Sequence, residues 1–233
     1  MSTSPPSDRP PVDVVVLDVD GTLVDSVYQH TVAWTHAFRA VGVTVPAHRV
    51  HRAIGMGSDK LVTEVAGAGV ERAVGDDVRE LHSREFDELW STVGVLPGAD
   101  RLIGELRRRG RRVAVASSGS RSDSARALDL IDGSGSLDAV VGGDDGFATK
   151  PDGDLIEAAI ERSGGRVAAT IGDAPWDMAA CQELDVLGIG VLTGGFTREE
   201  LRAVSASLVV ESLDELIDRL DETPLGGSLD ETG

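Results

Sequence analysis

Short, almost uninterrupted runs of Val, Ile, Leu and Ala alternate along this chain with segments of helical spacing, and that alternation restricts the fold more than any other feature. The apolar runs fall at 12–17, 112–116, 139–141, 167–171, 186–191 and 207–210. Runs with so little polar interruption suit strands covered on both faces, the usual state of a parallel sheet. Between them, 101–109, 122–130, 155–162, 175–184 and 213–220 place apolar residues three and four apart, as helices packed on a sheet require. Strand and helix in turn predict an α/β, doubly wound parallel sheet, with ligands beyond the carboxyl ends of its strands.

One interval breaks the rhythm. Residues 27–93 carry helical patterns at 28–41, 47–54, 59–65 and 71–90, punctuated by Gly42, Pro46, Gly55, Gly57 and Gly67, and show no strand. That is too long for a crossover and reads as an inserted α-helical cap domain. The expected division is a core of 12–26 and 94–222, a cap of 27–93, and disordered tails at 1–11 and 223–233.

Composition removes several classes of function. No apolar stretch approaches the roughly 20 residues of a membrane-spanning helix. Lys and Arg total 22 against 40 Asp and Glu, a net charge of -18, which disfavours nucleic acid and anionic lipid as partners. A lone Cys181 and a Pro/Ser-rich start without a signal-peptide pattern point to the cytoplasm. Arg107–Arg112 surrounds Gly110 and reads as a solvated helix C-terminus rather than a basic binding patch. Lys60 and Lys150 are the only lysines, so either one, standing where chemistry wants an ammonium, carries weight.

The ends of the apolar runs carry the chemistry. The first runs into Asp18-Val-Asp20-Gly21-Thr22, two carboxylates beside a glycine turn. Close carboxylates in a low-dielectric crevice need a cation between them or a shared proton; taken alone, the pair fits loop aspartates capping the next helix better. The second ends in Ser117-Ser118-Gly119, a hydroxyl and free backbone N–H groups suited to an anion. Lys150 precedes Pro151 and a helical segment, and the strand before Gly172-Asp173 is followed by Pro175 and Asp177.

Asp-x-Asp-Gly-Thr after an apolar run, a strand ending in Ser, a Lys before a helix, and Gly-Asp-x-x-x-Asp, in this order, resemble the four motifs of the haloacid dehalogenase-like superfamily. The position of the insertion resembles the helical caps of its phosphoglycolate phosphatase-like and β-phosphoglucomutase-like subgroups. The resemblance implies Asp18 as nucleophile, Asp20 as general acid/base, Ser117 orienting phosphate and Lys150 balancing charge. It also implies Mg2+ held by Asp18, Asp173, Asp177 and the backbone carbonyl of Asp20. Within that resemblance, the Asp at position 20 implies phosphoryl rather than halide chemistry: a Mg2+-dependent phosphatase of a small phosphorylated metabolite working through an aspartyl phosphate, with a sugar phosphomutase as the alternative. Such a cycle requires the Asp20 pKa to be raised by burial and neighbouring carboxylates. Ser118 and Gly119 are expected at the substrate, as are His30, Arg52 and Lys60 of the cap. Monomer and homodimer are both compatible with the sequence.

Overall fold

The computed structural model describes residues 11–226, so the expected tails at 1–10 and 227–233 lie outside the described residues. The strands are β1 (Val14–Leu17), β2 (Val24–Asp25), β3 (Gly94–Val95), β4 (Arg112–Ala116), β5 (Ala139–Val141), β6 (Ala168–Gly172), β7 (Leu187–Val191) and β8 (Leu208–Val210). All but β2 and β3 form one parallel sheet in the order β5-β4-β1-β6-β7-β8. The chain leaves central β1 for β4 on one side and later returns to β6 on the other. That reversal opens a crevice at the carboxyl end of β1.

The helices are α1 (Val27–Ala40), α2 (Ala47–His51), α3 (Ser58–Ala66), α4 (Ala68–Leu89), α5 (Ala99–Arg108), α6 (Arg121–Leu128), α7 (Asp154–Ser163), α8 (Pro175–Glu183), α9 (Arg198–Ala203) and α10 (Leu213–Asp218). Strand side chains alternate between faces, and β1 shows what that does to a wholly apolar run. Val15 and Leu17 join Leu102, Ile103 and Leu106 of α5 and Leu213 and Leu216 of α10. Val14 and Val16 join Leu155 and Ile156 of α7 and Ala180 and Cys181 of α8. Each fully buried large aliphatic chain contributes about 1.5–3 kcal/mol, so a polar residue within β1 would be costly on either face.

Helices α1 to α4, the segment expected as a cap and called so below, pack around a cluster of their own, with Trp34, Phe38, Val50, Leu61, Val62 and Val78 buried together. Its two connections to the core run through 24–27 and 93–97. The structure adds that these segments pair: β2 and β3 run antiparallel, Val24 opposite Val95 and Asp25 opposite Gly94. Two other features escaped the sequence reading. Helix α9 is a single short element, begun by Thr197, whose hydroxyl accepts from the Glu200 N–H at 3.3 Å, while Glu200 accepts from the Thr197 N–H at 2.8 Å; Thr-x-x-Glu is a capping box.

The expected C-terminal tail begins too early, because Leu225 is fully buried in the core. Arg111 accounts for this. Its guanidinium is buried and donates to the carbonyls of Val12 and Leu225, joining the segment before β1 to the segment after α10. The expectation of a solvated 107–112 segment is corrected by the same contacts, and Arg107 and Arg109 are paired with Asp138 and Asp221.

Candidate active site

The carboxyl ends of β1, β4 and β6 and the loop after β5 converge beneath the cap. Lys150 is buried there, its Nζ 2.5 Å from Asp18 Oδ1 and 2.7 Å from Asp177 Oδ1. Burial pulls the ammonium's pKa down, and the two carboxylates more than reverse that, holding it above its ordinary value. Asp177 sits in the first turn of α8, where Pro175 loses no hydrogen bond, and its other oxygen accepts from the Ala174 N–H at 3.1 Å.

Asp18, Asp173 and Asp177 form a buried triad with one oxygen from each within 4.8 Å of the others. Thr22 Oγ1 donates to Asp173 Oδ1 at 3.2 Å. Gly21 makes this approach possible: its φ is +81°, and a Cβ there would stand 2.5 Å from Asp173 Oδ2. Burial pushes the Asp18 carboxyl up to about 7, with Lys150 opposing and Asp177 and Asp20 adding to the rise. Burial, then Asp18 and Asp177, likewise hold Asp173 well above the carboxylate range. Lys150 therefore leaves the triad over-negative, and an all-oxygen donor set with unbalanced charge fits a hard divalent cation.

Asp20 lies at the same strand end but outside the triad. Its Oδ1 accepts from Ser26 Oγ at 2.6 Å and lies 3.1 Å from His30 Nε2. The catalytic cycle asks for a raised Asp20 pKa; in the resting site the balance runs the other way. Burial does act upward, but the charge of His30 and the hydrogen bonds from His30 and Ser26 outweigh it, and the carboxyl rests below its ordinary value.

Ser117 is buried and its Oγ accepts from the Gly119 N–H at 3.0 Å. The neighbouring Ser118 Oγ is buried with no hydrogen-bond partner among the described residues, a donor left for something else. Above these groups lies a cavity of about 140 Å3 whose walls include Asp18, Asp20, Ser118, Gly119, His30 and Arg79. The structure thus brings His30, Ser118 and Gly119 to one space with the carboxylates.

Arg52 and Lys60 are not brought there. Arg52 pairs with Glu200 of α9 and lies over the Phe196 ring, 4.2 Å from its centroid. Lys60 donates to the Thr149 carbonyl and pairs with Asp152 at 2.9 Å. Both join cap to core. His82 of α4 was not singled out by sequence, yet its Nε2 is 3.1 Å from His30 Nδ1 and its ring stacks on Trp34 with centroids 4.0 Å apart. Burial, then the charge of His30, keeps its pKa well below the usual histidine value. Only the fold places residues 52 positions apart face to face; Ser26 and Thr22, by contrast, stand beside the first motif and were legible as hydroxyls near it.

The haloacid dehalogenase-like hydrolase profile matches residues 12–185, from the start of the core through the last acidic motif. The chain belongs to that family. Among its curated relatives, a phosphoglycolate phosphatase of Rhodospirillum rubrum is 31% identical over 228 residues, covering 91% of this chain and 92% of its own. A phosphoglycolate phosphatase of Caulobacter vibrioides is 26% identical over 205 residues, covering 85% and 86%. Among solved structures, a hydrolase from Pseudomonas syringae superimposes with a TM-score of 0.84 at 31% identity, covering 90% of this chain and 98% of that one. The family match runs through the segment holding Asp18, Asp20, Ser117, Lys150, Asp173 and Asp177. No helix among the described residues is long and apolar enough to cross a membrane.

Proposed function

We propose that the chain is a Mg2+-dependent phosphatase of small phosphorylated metabolites in the cytoplasm, working through an aspartyl phosphate on Asp18. The observation that carries this reading is the difference between two neighbouring carboxylates: Asp18 gripped by a buried Lys150, Asp20 held apart by Ser26 and His30. Phosphatase relatives matched over most of the chain support it.

Asp18, Asp173 and Asp177 would hold the ion with the Asp20 carbonyl. When bound, Mg2+ supplies charge stabilisation to the phosphoryl oxygens and lowers the pKa of Asp18. Lys150 adds a fixed positive charge, and Ser117, Ser118 and the Gly119 region supply donors that orient the phosphate. An Asp18 oxygen then attacks phosphorus in line with the ester oxygen. Asp20 gives its proton to that leaving oxygen; the phosphate dianion beside it is the like charge that raises its pKa in the complex. In the second half, the ionised Asp20 takes a proton from water, which attacks phosphorus and restores Asp18. His30 and Ser26 keep Asp20 aimed at that line.

The test is phosphate release from p-nitrophenyl phosphate with Mg2+ and with a chelator. Release that needs the metal and is absent in Asp18→Asn is expected; release retained by Asp18→Asn would remove the nucleophile assignment.

A further inference from the structure

The cap side of the cavity carries one Arg among the described residues of its wall, Arg79 of α4, and that Arg is already spent on neighbours. Its Nη1 donates to Glu71 Oε2 at 3.0 Å and to the Ser58 carbonyl at 3.2 Å, and its Nη2 donates to Glu71 Oε1 at 2.8 Å and to Asp76 Oδ1 at 2.8 Å. The Glu71 contact is a bidentate fork, the geometry that best neutralises a guanidinium, and it holds the Arg79 pKa above its usual range.

This pairing is built, not incidental. Glu71 and Arg79 lie eight residues apart on one helix, twice the spacing at which side chains ordinarily meet, and the position between them is Gly75. A Cβ at Gly75 would stand 2.8 Å from the Glu71 carboxylate oxygens. Glycine in mid-helix is unfavourable for the helix, and here it opens the lane through which Glu71 reaches Arg79.

The rest of the wall agrees. Ile54, Leu61 and Trp34 give apolar surface, Ser58 and Ser83 give hydroxyls, and Asp123 adds a negative charge. Arg52 and Lys60 face the core instead. His30 is engaged as well, its two ring nitrogens meeting Asp20 and His82.

Resting on the phosphatase reading, we propose that the enzyme selects phosphomonoesters whose alcohol part is uncharged and hydroxyl-bearing, and that Glu71, by closing Arg79, makes the cavity reject a second anionic group on the substrate. The names of the phosphoglycolate phosphatase relatives would then describe the shared reaction, not this chain's leaving group.

A matched pair of substrates isolates the point: 2-phosphoglycolate and 2-hydroxyethyl phosphate differ by a carboxylate in place of a hydroxymethyl. With full-length protein and Mg2+, kcat/KM for the hydroxyethyl ester should exceed that for phosphoglycolate by about tenfold or more. Glu71→Gln, which removes the charged fork and leaves Arg79 only the exposed Asp76 and the Ser58 carbonyl, should narrow that ratio several-fold by raising the phosphoglycolate value. Gly75→Ala, which crowds Glu71 away, should move the ratio in the same direction and serves if Glu71→Gln does not fold. A wild-type preference for phosphoglycolate, or a ratio unmoved in both variants, would overturn the proposal while leaving the phosphatase reading intact. Failure to release phosphate from either ester and from p-nitrophenyl phosphate would instead overturn that reading and the proposal with it.

Discussion

The floor of the cavity and the cap over it both set opposite charges against each other, and they balance them in opposite ways. On the floor, Asp18, Asp173 and Asp177 cluster with a single Lys150, which contacts Asp18 and Asp177, all of them buried. On the cap, Arg79 is closed by Glu71, Arg52 by Glu200 and Lys60 by Asp152, in pairs that water partly reaches. A deliberate excess of buried charge at rigid strand ends is what cation binding and phosphoryl transfer need. Cancelled charge on a helical roof leaves shape and hydroxyls to choose the substrate. The net charge of -18 over the chain is therefore used unevenly: a few carboxylates are held together against repulsion, and many others neutralise arginines.

The contrast can be broken most severely on the floor. Asp18→Asn should lower kcat by roughly 10^4-fold or more, with circular dichroism unchanged because one buried like charge is removed. Lys150→Met should come next: it leaves buried carboxylates without their partner, and urea unfolding of the metal-free protein should show a loss of about 3–5 kcal/mol.

Metal comes third. Mg2+ at about 100 times its Kd should add about 2.7 kcal/mol, or about 5–10 °C in Tm for a chain of this size, and Asp173→Asn should abolish the shift. The pH dependence follows from Asp18, whose folded pKa of about 7 lies above its ordinary 3.8. A raised carboxyl contributes stability fully present below the ordinary value and lost as pH rises through about 7. The metal-free protein should therefore lose stability between about pH 4 and about pH 7, and the gain from Mg2+ should be larger near pH 8 than near pH 5. A metal shift that is flat across that range would deny the charge excess.

The smallest effects belong to the pairs that join cap to core. Arg52→Ala and Lys60→Ala should each cost about 0.2–1 kcal/mol, as partly exposed pairs do, with KM nearly unchanged. A KM rise of about tenfold in either would return that residue to the substrate, as the sequence first suggested.

What could be read in advance follows physical range. Apolar runs mark buried strands directly, so the sheet and its order of chemistry at Asp18, Ser117, Lys150 and Asp173 were visible without coordinates. The β2–β3 ribbon was not, because two residues per strand carry no period. Helix α9 is too short for periodicity, although its capping box was present in the sequence. Leu225 looked like tail because burial there depends on Arg111, more than a hundred positions earlier. Arg52 and Lys60 were placed near the substrate by their proximity to Gly55 and Gly57, but a residue's neighbours in sequence do not say which way a long side chain turns. The Glu71–Gly75–Arg79 arrangement was hidden for the opposite reason: each residue alone is ordinary in a surface helix, and only the fork shows what the glycine is for.

The central claim is that the phosphoryl group passes through Asp18, and it is tested by trapping it there. Asp20→Asn protein, mixed with p-nitrophenyl phosphate and Mg2+ and quenched in acid, should carry a hydroxylamine-labile phosphate on the peptide containing Asp18, released with one equivalent of p-nitrophenol per active site. Turnover with no phosphate on that peptide, or the same label surviving in Asp18→Asn, would contradict the account.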